Sequence, residues 1–115
     1  MKILVTGATG NVGGEVVRAL VERGAKAAII TLGARGAFYC TDGQSEFVPA
    51  FSAGSVIDTT GAGDAFLGGF ATAISEGRAP IEAVRFGSAT AAIAVTRPGT
   101  APAMPSRAEI DAFLH

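Results

Sequence analysis

The chain has 115 residues, 49% hydrophobic and 17% charged, with a net charge of −1 and a single cysteine. This supplies apolar material for one small domain, rules out an internal disulfide, and gives no charge bias toward nucleic acid or an acidic membrane surface. No apolar run is long enough to span a bilayer, and MKILVTGATG does not read as a signal peptide, so a soluble, cytoplasmic protein is expected.

Lys2 to Thr6 reads as a buried strand, because Ile3, Leu4 and Val5 are consecutive and apolar. A glycine-rich turn follows, with Gly7, Gly10 and Gly13. Val12, Val16, Val17, Leu20 and Val21 then share one face at helical spacing, and Gly24 is a natural stop. Ala27 to Leu32 reads as a second buried strand, completing a βαβ unit with parallel strands. Ala37 to Thr41 and Gln44 to Val48 flank Asp42-Gly43, a strong hairpin signal. Cys40 falls within this hairpin and reads as a half-buried strand residue. Val56-Ile57 is a candidate short strand.

Phe66, Leu67, Phe70, Ala71 and Ile74 fit a helix that ends near Gly77, with Gly68 and Gly69 allowing close packing. Pro80 suits the first turn of another helix, with Ile81, Val84, Ala89, Ala92 and Ile93 inward. Thr96 to Pro105 is a proline-rich loop. Ser106 and Glu109 are spaced as a capping box for a last helix bearing Ile110, Phe113 and Leu114. The expected fold is a single α/β domain over residues 1–115: a three-layer, Rossmann-like α/β/α arrangement, its sheet mainly parallel with one antiparallel hairpin.

The run Asp58-Thr59-Thr60-Gly61-Ala62-Gly63-Asp64-Ala65-Phe66 carries the chemistry. A helix start offers unpaired N–H groups and partial positive charge, so it attracts anions. Small residues let a phosphate approach the backbone, and Asp64 is placed to take a proton from an attacking hydroxyl. Together these are the parts phosphoryl transfer requires.

DTTGAGDAFLGGF resembles the C-terminal signature of the ribokinase-type carbohydrate and nucleoside kinases. The resemblance extends through AAIITLGARGAFY upstream and AAIAVTRPGTAPAMPSRAEIDAFL downstream, over roughly residues 20 to 114. It implies Asp64 as catalytic base and the amides of Gly61, Ala62 and Gly63 as the anion hole. It implies Thr31, Gly33 and Gly36 along the phosphates and ribose of ATP or ADP, carried with Mg²⁺. Ser88 stands near the adenine position, where relatives often have Asn. Asp58 and Thr60 resemble part of a monovalent-cation site whose partner loop is Thr96 to Pro102; Ala103 stands where many members carry a Ser ligand. Arg35 and Arg97 are the cations nearest these motifs and read as solvated surface. Complete members are about two to three times this length, and their sugar-contacting acids and lid come from the other half.

Thr6-Gly7-Ala8-Thr9-Gly10-Asn11-Val12-Gly13 resembles the TGxxGxxG turn of the extended short-chain dehydrogenases and epimerases, which holds NAD(P) pyrophosphate. That resemblance stops near residue 24. No acid follows at the end of the second strand, and the Tyr-x-x-x-Lys pair of that family is missing, so NAD(P) binding is not expected. Two families are thus expected to meet between about Val16 and Lys26. The first reading is a chimera, engineered or natural: a Rossmann-type fragment over 1–24, a ribokinase-like fragment over 25–115, and no complete active site. The alternative is a reduced ATP- or phosphate-binding module with a vestigial phosphotransferase site acting on a sugar-type hydroxyl. Its partners would be nucleotide, phosphate or sulfate, and it would be a monomer or a homodimer.

Overall fold

The computed structural model describes residues 3–7, 27–31, 33–41 and 44–115. The chain falls into two compact units, residues 1–49 and 50–115. The first holds a four-stranded sheet in the order β1-β2-β3-β4. Its strands are β1 (Ile3–Gly7), β2 (Ala27–Thr31), β3 (Gly36–Thr41) and β4 (Gln44–Pro49). The helix expected after Gly10, with Gly10 and Gly13 themselves and the Asp42-Gly43 turn, lies outside the described residues.

β1 and β2 are parallel, as a βαβ unit requires, whereas β2–β3 and β3–β4 are antiparallel. The sheet is therefore not mainly parallel, contrary to the sequence-based expectation. The cause is the length of the β2–β3 link. Residues 32–35 are too few for a crossover, which takes about a dozen residues, so the chain must turn straight back. A 3₁₀ turn over Gly33–Arg35 makes that reversal. The hairpin alternates between its faces: the Ala37–Val48 pair is buried and the Phe38–Phe47 pair is exposed. The Phe38 and Phe47 rings lie 5.1 Å apart and shield each other across the strands. Cys40 is half-buried, and burial pushes its thiol pKa up.

The second unit contains α1 (Ala62–Ser75), α2 (Pro80–Ala94) and α3 (Arg107–Leu114). Val56-Ile57 is not a strand. Instead the N–H groups of Ile57 and Asp58 donate to the Val95 carbonyl at the end of α2, at 2.7 and 3.2 Å. α1 stops in a Schellman arrangement, in which Gly77 (φ 82°) donates to Ile74 and Arg78 donates to Ala73. Pro80 opens α2, and the Ser106–Glu109 capping box forms at α3 with both of its bonds. None of these helices is long and apolar enough to cross a membrane.

α1 and α2 approach closely, and one glycine of each makes this possible. A Cβ on Gly69 would collide with the Thr90 side chain and lie 3.1 Å from Gly87 Cα. Gly68, its neighbour, has nothing within 4 Å of such a Cβ. Of the adjacent pair Gly68 and Gly69, only Gly69 therefore serves packing. Gly68→Ala is expected to raise stability by about 0.5–1 kcal/mol through helix propensity, read as a higher midpoint in urea unfolding. Phe86 is 1% exposed, and the guanidinium groups of Arg78 and Arg107 lie over its ring, 5.0 and 5.2 Å from the centroid. Phe51 meets Phe113 edge-on at 5.7 Å, tying the start of the unit to α3.

Candidate functional site

The expected site residues gather in two places, one in each unit. Gly7 and Thr31 are paired in register at the carboxyl ends of the two parallel strands, and Gly33 and Gly36 follow in the β2–β3 link. Thr31 is half-buried, Gly33 exposed and Gly36 buried. In the second unit the run from Asp58 to Asp64 forms a turn that leads into α1. Ser88 is buried in α2.

The turn is built around Asp58. Its Oδ1 accepts the Thr60 N–H at 2.9 Å and the Thr60 hydroxyl, while its Oδ2 accepts the Gly99 N–H at 3.0 Å. Gly99 has φ 87°, a conformation in which a side chain is strained, and this presents its N–H to the carboxylate. The clasp joins the signature to the loop at residues 96–105. These donors lower the Asp58 pKa from 3.8 to about 2.

Because the folded pKa lies below the unfolded one, the clasp stabilises the fold above the unfolded value and fades as pH falls from about 4 through 2. Asp58→Asn should therefore melt below the parent at pH 7, and the gap should close toward pH 2. Thermal melts across that range check this; a gap independent of pH would contradict it.

The three small residues of the cradle play different parts. Gly61 caps α1 and is buried, and a Cβ there would meet Thr100 Cα at 3.3 Å. The lack of a side chain at Gly61 is what admits the 96–105 loop. The Ala62 N–H is used internally, donating to the Thr59 carbonyl at 3.1 Å. Gly63 is exposed, and a Cβ added to it would have nothing within 4 Å. The first intrahelical bond runs from Ala65 N–H to the Gly61 carbonyl. The N–H groups of Gly61, Gly63 and Asp64 have no acceptor among the described residues. Asp64 is exposed in the first turn. Of the three amides expected to form an anion hole, that of Ala62 is thus already paired, while the Asp64 amide, not named in that expectation, is unpaired among the described residues. Motif spacing gives Asp64 a side-chain role alone.

Arg97 and Ala103 lie in the loop at residues 96–105. Arg97, read from the sequence as surface, pairs with Glu109 of the capping box. Arg97 and the Ser106 N–H together hold the Glu109 pKa down to about 2. Ala103 is buried and offers only a methyl where a hydroxyl ligand is expected. Among the described residues, no group of three or more His, Cys, Asp or Glu side chains is placed to hold a metal ion.

Comparison with known proteins identifies the family of the chain. The family model described as pfkB family carbohydrate kinase matches residues 4–107. Ribokinase from Haemophilus influenzae is 45% identical over 93 residues, covering 81% of this chain and 30% of that protein. A ribokinase structure from Thermotoga maritima has 43% identity and a TM-score of 0.81, covering 87% of this chain and 33% of its own. Arabidopsis thaliana ribokinase complexed with ribose and ATP has 29% identity and a TM-score of 0.87, over 99% of this chain and 41% of its own. The chain therefore spans well under half the length of each. The family match starts at residue 4, so it includes the glycine-rich turn and runs across the expected junction between Val16 and Lys26. A second parent family is not required to account for the chain.

Proposed function

Given that the chain belongs to the pfkB family of carbohydrate kinases, we propose that it is the nucleotide-side module of a sugar-phosphorylating site. The observation that carries this reading is the start of α1. Three amides there have no acceptor among the described residues, Gly63 leaves open space, and a carboxylate stands in the same turn. A helix start of this kind favours phosphate by dipole and by hydrogen bonding.

In this reading the amides of Gly61, Gly63 and Asp64 hold the charge that develops on the transferred phosphoryl group. The Asp64 carboxylate accepts the proton of the attacking sugar-type hydroxyl, whose oxygen bonds to the γ-phosphorus as the bond to ADP breaks. Thr31, Gly33, Gly36 and Ser88 are assigned to the nucleotide, and Mg²⁺ arrives on its phosphates. Asp58 and Thr60 are assigned to a monovalent cation. Relatives in complex with ATP and ribose, or with ATP and Mg²⁺, support the choice of ligand. Holding the sugar falls to groups outside this chain's match, and without them the proximity contribution to the rate is missing. Dinucleotide binding, and with it a separate origin for residues 1–24, rests on the Thr6–Gly13 motif alone.

Thermal shift with ATP–Mg²⁺, ADP and NADP⁺ tests the reading. ATP at 100 times its dissociation constant should stabilise by about 2.7 kcal/mol. Gly63→Leu, at a position with room for a side chain, should abolish that shift without lowering the melting point of the free protein. Asp64→Asn should keep the shift and lose any phosphoryl transfer. No response to ATP or ADP sinks the proposal. A response to NADP⁺ that Gly10→Leu removes would point to the dinucleotide instead.

A further inference from the structure

The loop between α2 and α3 lies across the start of α1 as a strap. At its tip the Gly99 N–H donates to Asp58 Oδ2 at 3.0 Å. Thr100 Cα stands 3.3 Å from the place a Cβ on Gly61 would take. A 3₁₀ turn over Ala101–Ala103 follows, and Ala103 is buried. The strap therefore bears on the cradle itself: Gly61, which it touches, carries one of the three amides without an acceptor among the described residues.

An open loop of this length samples many conformations, so a fixed tip needs a closed base. α3 packs on α2 and brings the two ends of the strap together. The polar link at the base is an ion pair. Arg97, just after α2, donates to both carboxylate oxygens of Glu109 in the first turn of α3, twelve positions on. Glu109 also accepts the Ser106 N–H at 3.0 Å as its half of the capping box. Glutamine can fill that half as glutamate does. Apart from a favourable interaction with the α3 dipole, the charge at position 109 thus serves the bond to Arg97.

We propose that the Arg97–Glu109 ion pair is a positioning brace: it closes the strap, whose tip sets the orientation of the Gly61 and Gly63 amides at the start of α1. Both side chains act through the strap. Any consequence for nucleotide affinity rests on the reading of that helix start as an ATP site; the brace itself does not. The side chains are 35% and 42% exposed, so water and salt screen the pair. The expected effect is accordingly modest, about three- to five-fold in the opening of the strap.

NMR of the full 115-residue chain tests this without any ligand. It reads the exchange of the Gly99 amide with water and the resonances of the Gly61 and Gly63 amides. In Arg97→Met and in Glu109→Gln, Gly99 exchange should rise by about three- to five-fold. Both cradle resonances should move, with the melting temperature nearly unchanged. Arg97→Lys keeps the charge and should stay close to the parent. Glu76→Gln cuts a similarly exposed link between α1 and Arg107 of α3, so it controls for general loosening of α3 and should change neither readout. Unchanged Gly99 exchange in the two brace variants overturns the proposal, as does an equal rise in Glu76→Gln. Cradle resonances that stay fixed while Gly99 exchange rises also overturn it. ATP–Mg²⁺ titration is read separately. A parent that binds should bind more tightly than both brace variants, and equal affinity overturns the positioning role. A parent that does not bind counts against the nucleotide reading alone, because exchange and resonances in the free chain have already decided the brace.

Discussion

Phe86→Ala is expected to cost about 3–5 kcal/mol, the largest loss of any single substitution considered for this protein. Phe86 is 1% exposed and is among the largest fully buried side chains. Truncation removes its transfer free energy and leaves a void, because the glycine-backed crossing of α1 and α2 cannot collapse into it. The two guanidinium groups over the ring add less. Such contacts are worth about 0.5–2 kcal/mol each, and Arg107 keeps its bonds to Glu76 and Asp111 when the ring is gone. Phe86→Leu separates the two contributions: it refills much of the volume without restoring a π face. If volume dominates, it should recover more than half of the loss in urea unfolding. Recovery of almost nothing would assign the stability to the stacked cations. Small domains hold about 5–15 kcal/mol in total, so Phe86→Ala should be largely unfolded near its parent's melting temperature.

Gly87→Ala should destabilise by about 1–3 kcal/mol even though alanine is the better helix former. Its Cβ would lie 2.7 Å from the Phe66 carbonyl oxygen and 3.2 Å from the Phe66 ring. The oxygen belongs to the backbone of α1, so relief requires the two helices to part. Gly69→Ala meets the same barrier through Thr90 and Gly87. The double variant should therefore lose less than the sum of the two, because the first Cβ already opens the crossing. Strict additivity in denaturant midpoints would show that the two glycines do not share one crossing. Phe66 follows Asp64 in the same turn-rich start of α1, so parting the helices also shifts the cradle. Nucleotide affinity should fall along with stability in both single variants.

Much of the second unit can be read from local sequence rules. Pro80 at the start of α2, the Ser106–Glu109 box and the Gly77 stop each act within one turn, and all form as expected. The hairpin strands also appear within a residue or so of the expected bounds. The inward faces are less legible. Leu67 and Ala71 satisfy helical spacing yet point outward, while Ala65, Gly69 and Ala73 are buried. Periodicity finds a face; it cannot tell which of two faces meets a neighbour when each carries apolar residues, as on α1. Phe86 escapes the sequence pattern for a related reason. It stands beside Arg85 and between apolar residues that already fill a stripe, so its burial depends on Arg78 and Arg107 arriving from other segments.

The sequence alone determined the elements that close locally: the strands, the caps, the α/β class and the phosphate-type helix start at Gly61–Asp64. Their causes are short-range hydrogen bonds and dihedral preferences, and the residues responsible lie within about four positions of one another. Tertiary structure decided the rest. It turned β3 antiparallel through a link too short for a crossover. It spent the Asp58 carboxylate on Gly99, forty-one residues away, and filled the space at Gly61 with Thr100. It left Gly63 open beside free amides, which is the part of the signature where an anion has room. Which atoms of a motif stay available depends on what the folded chain brings against them, and that is a property of long-range packing rather than of spacing.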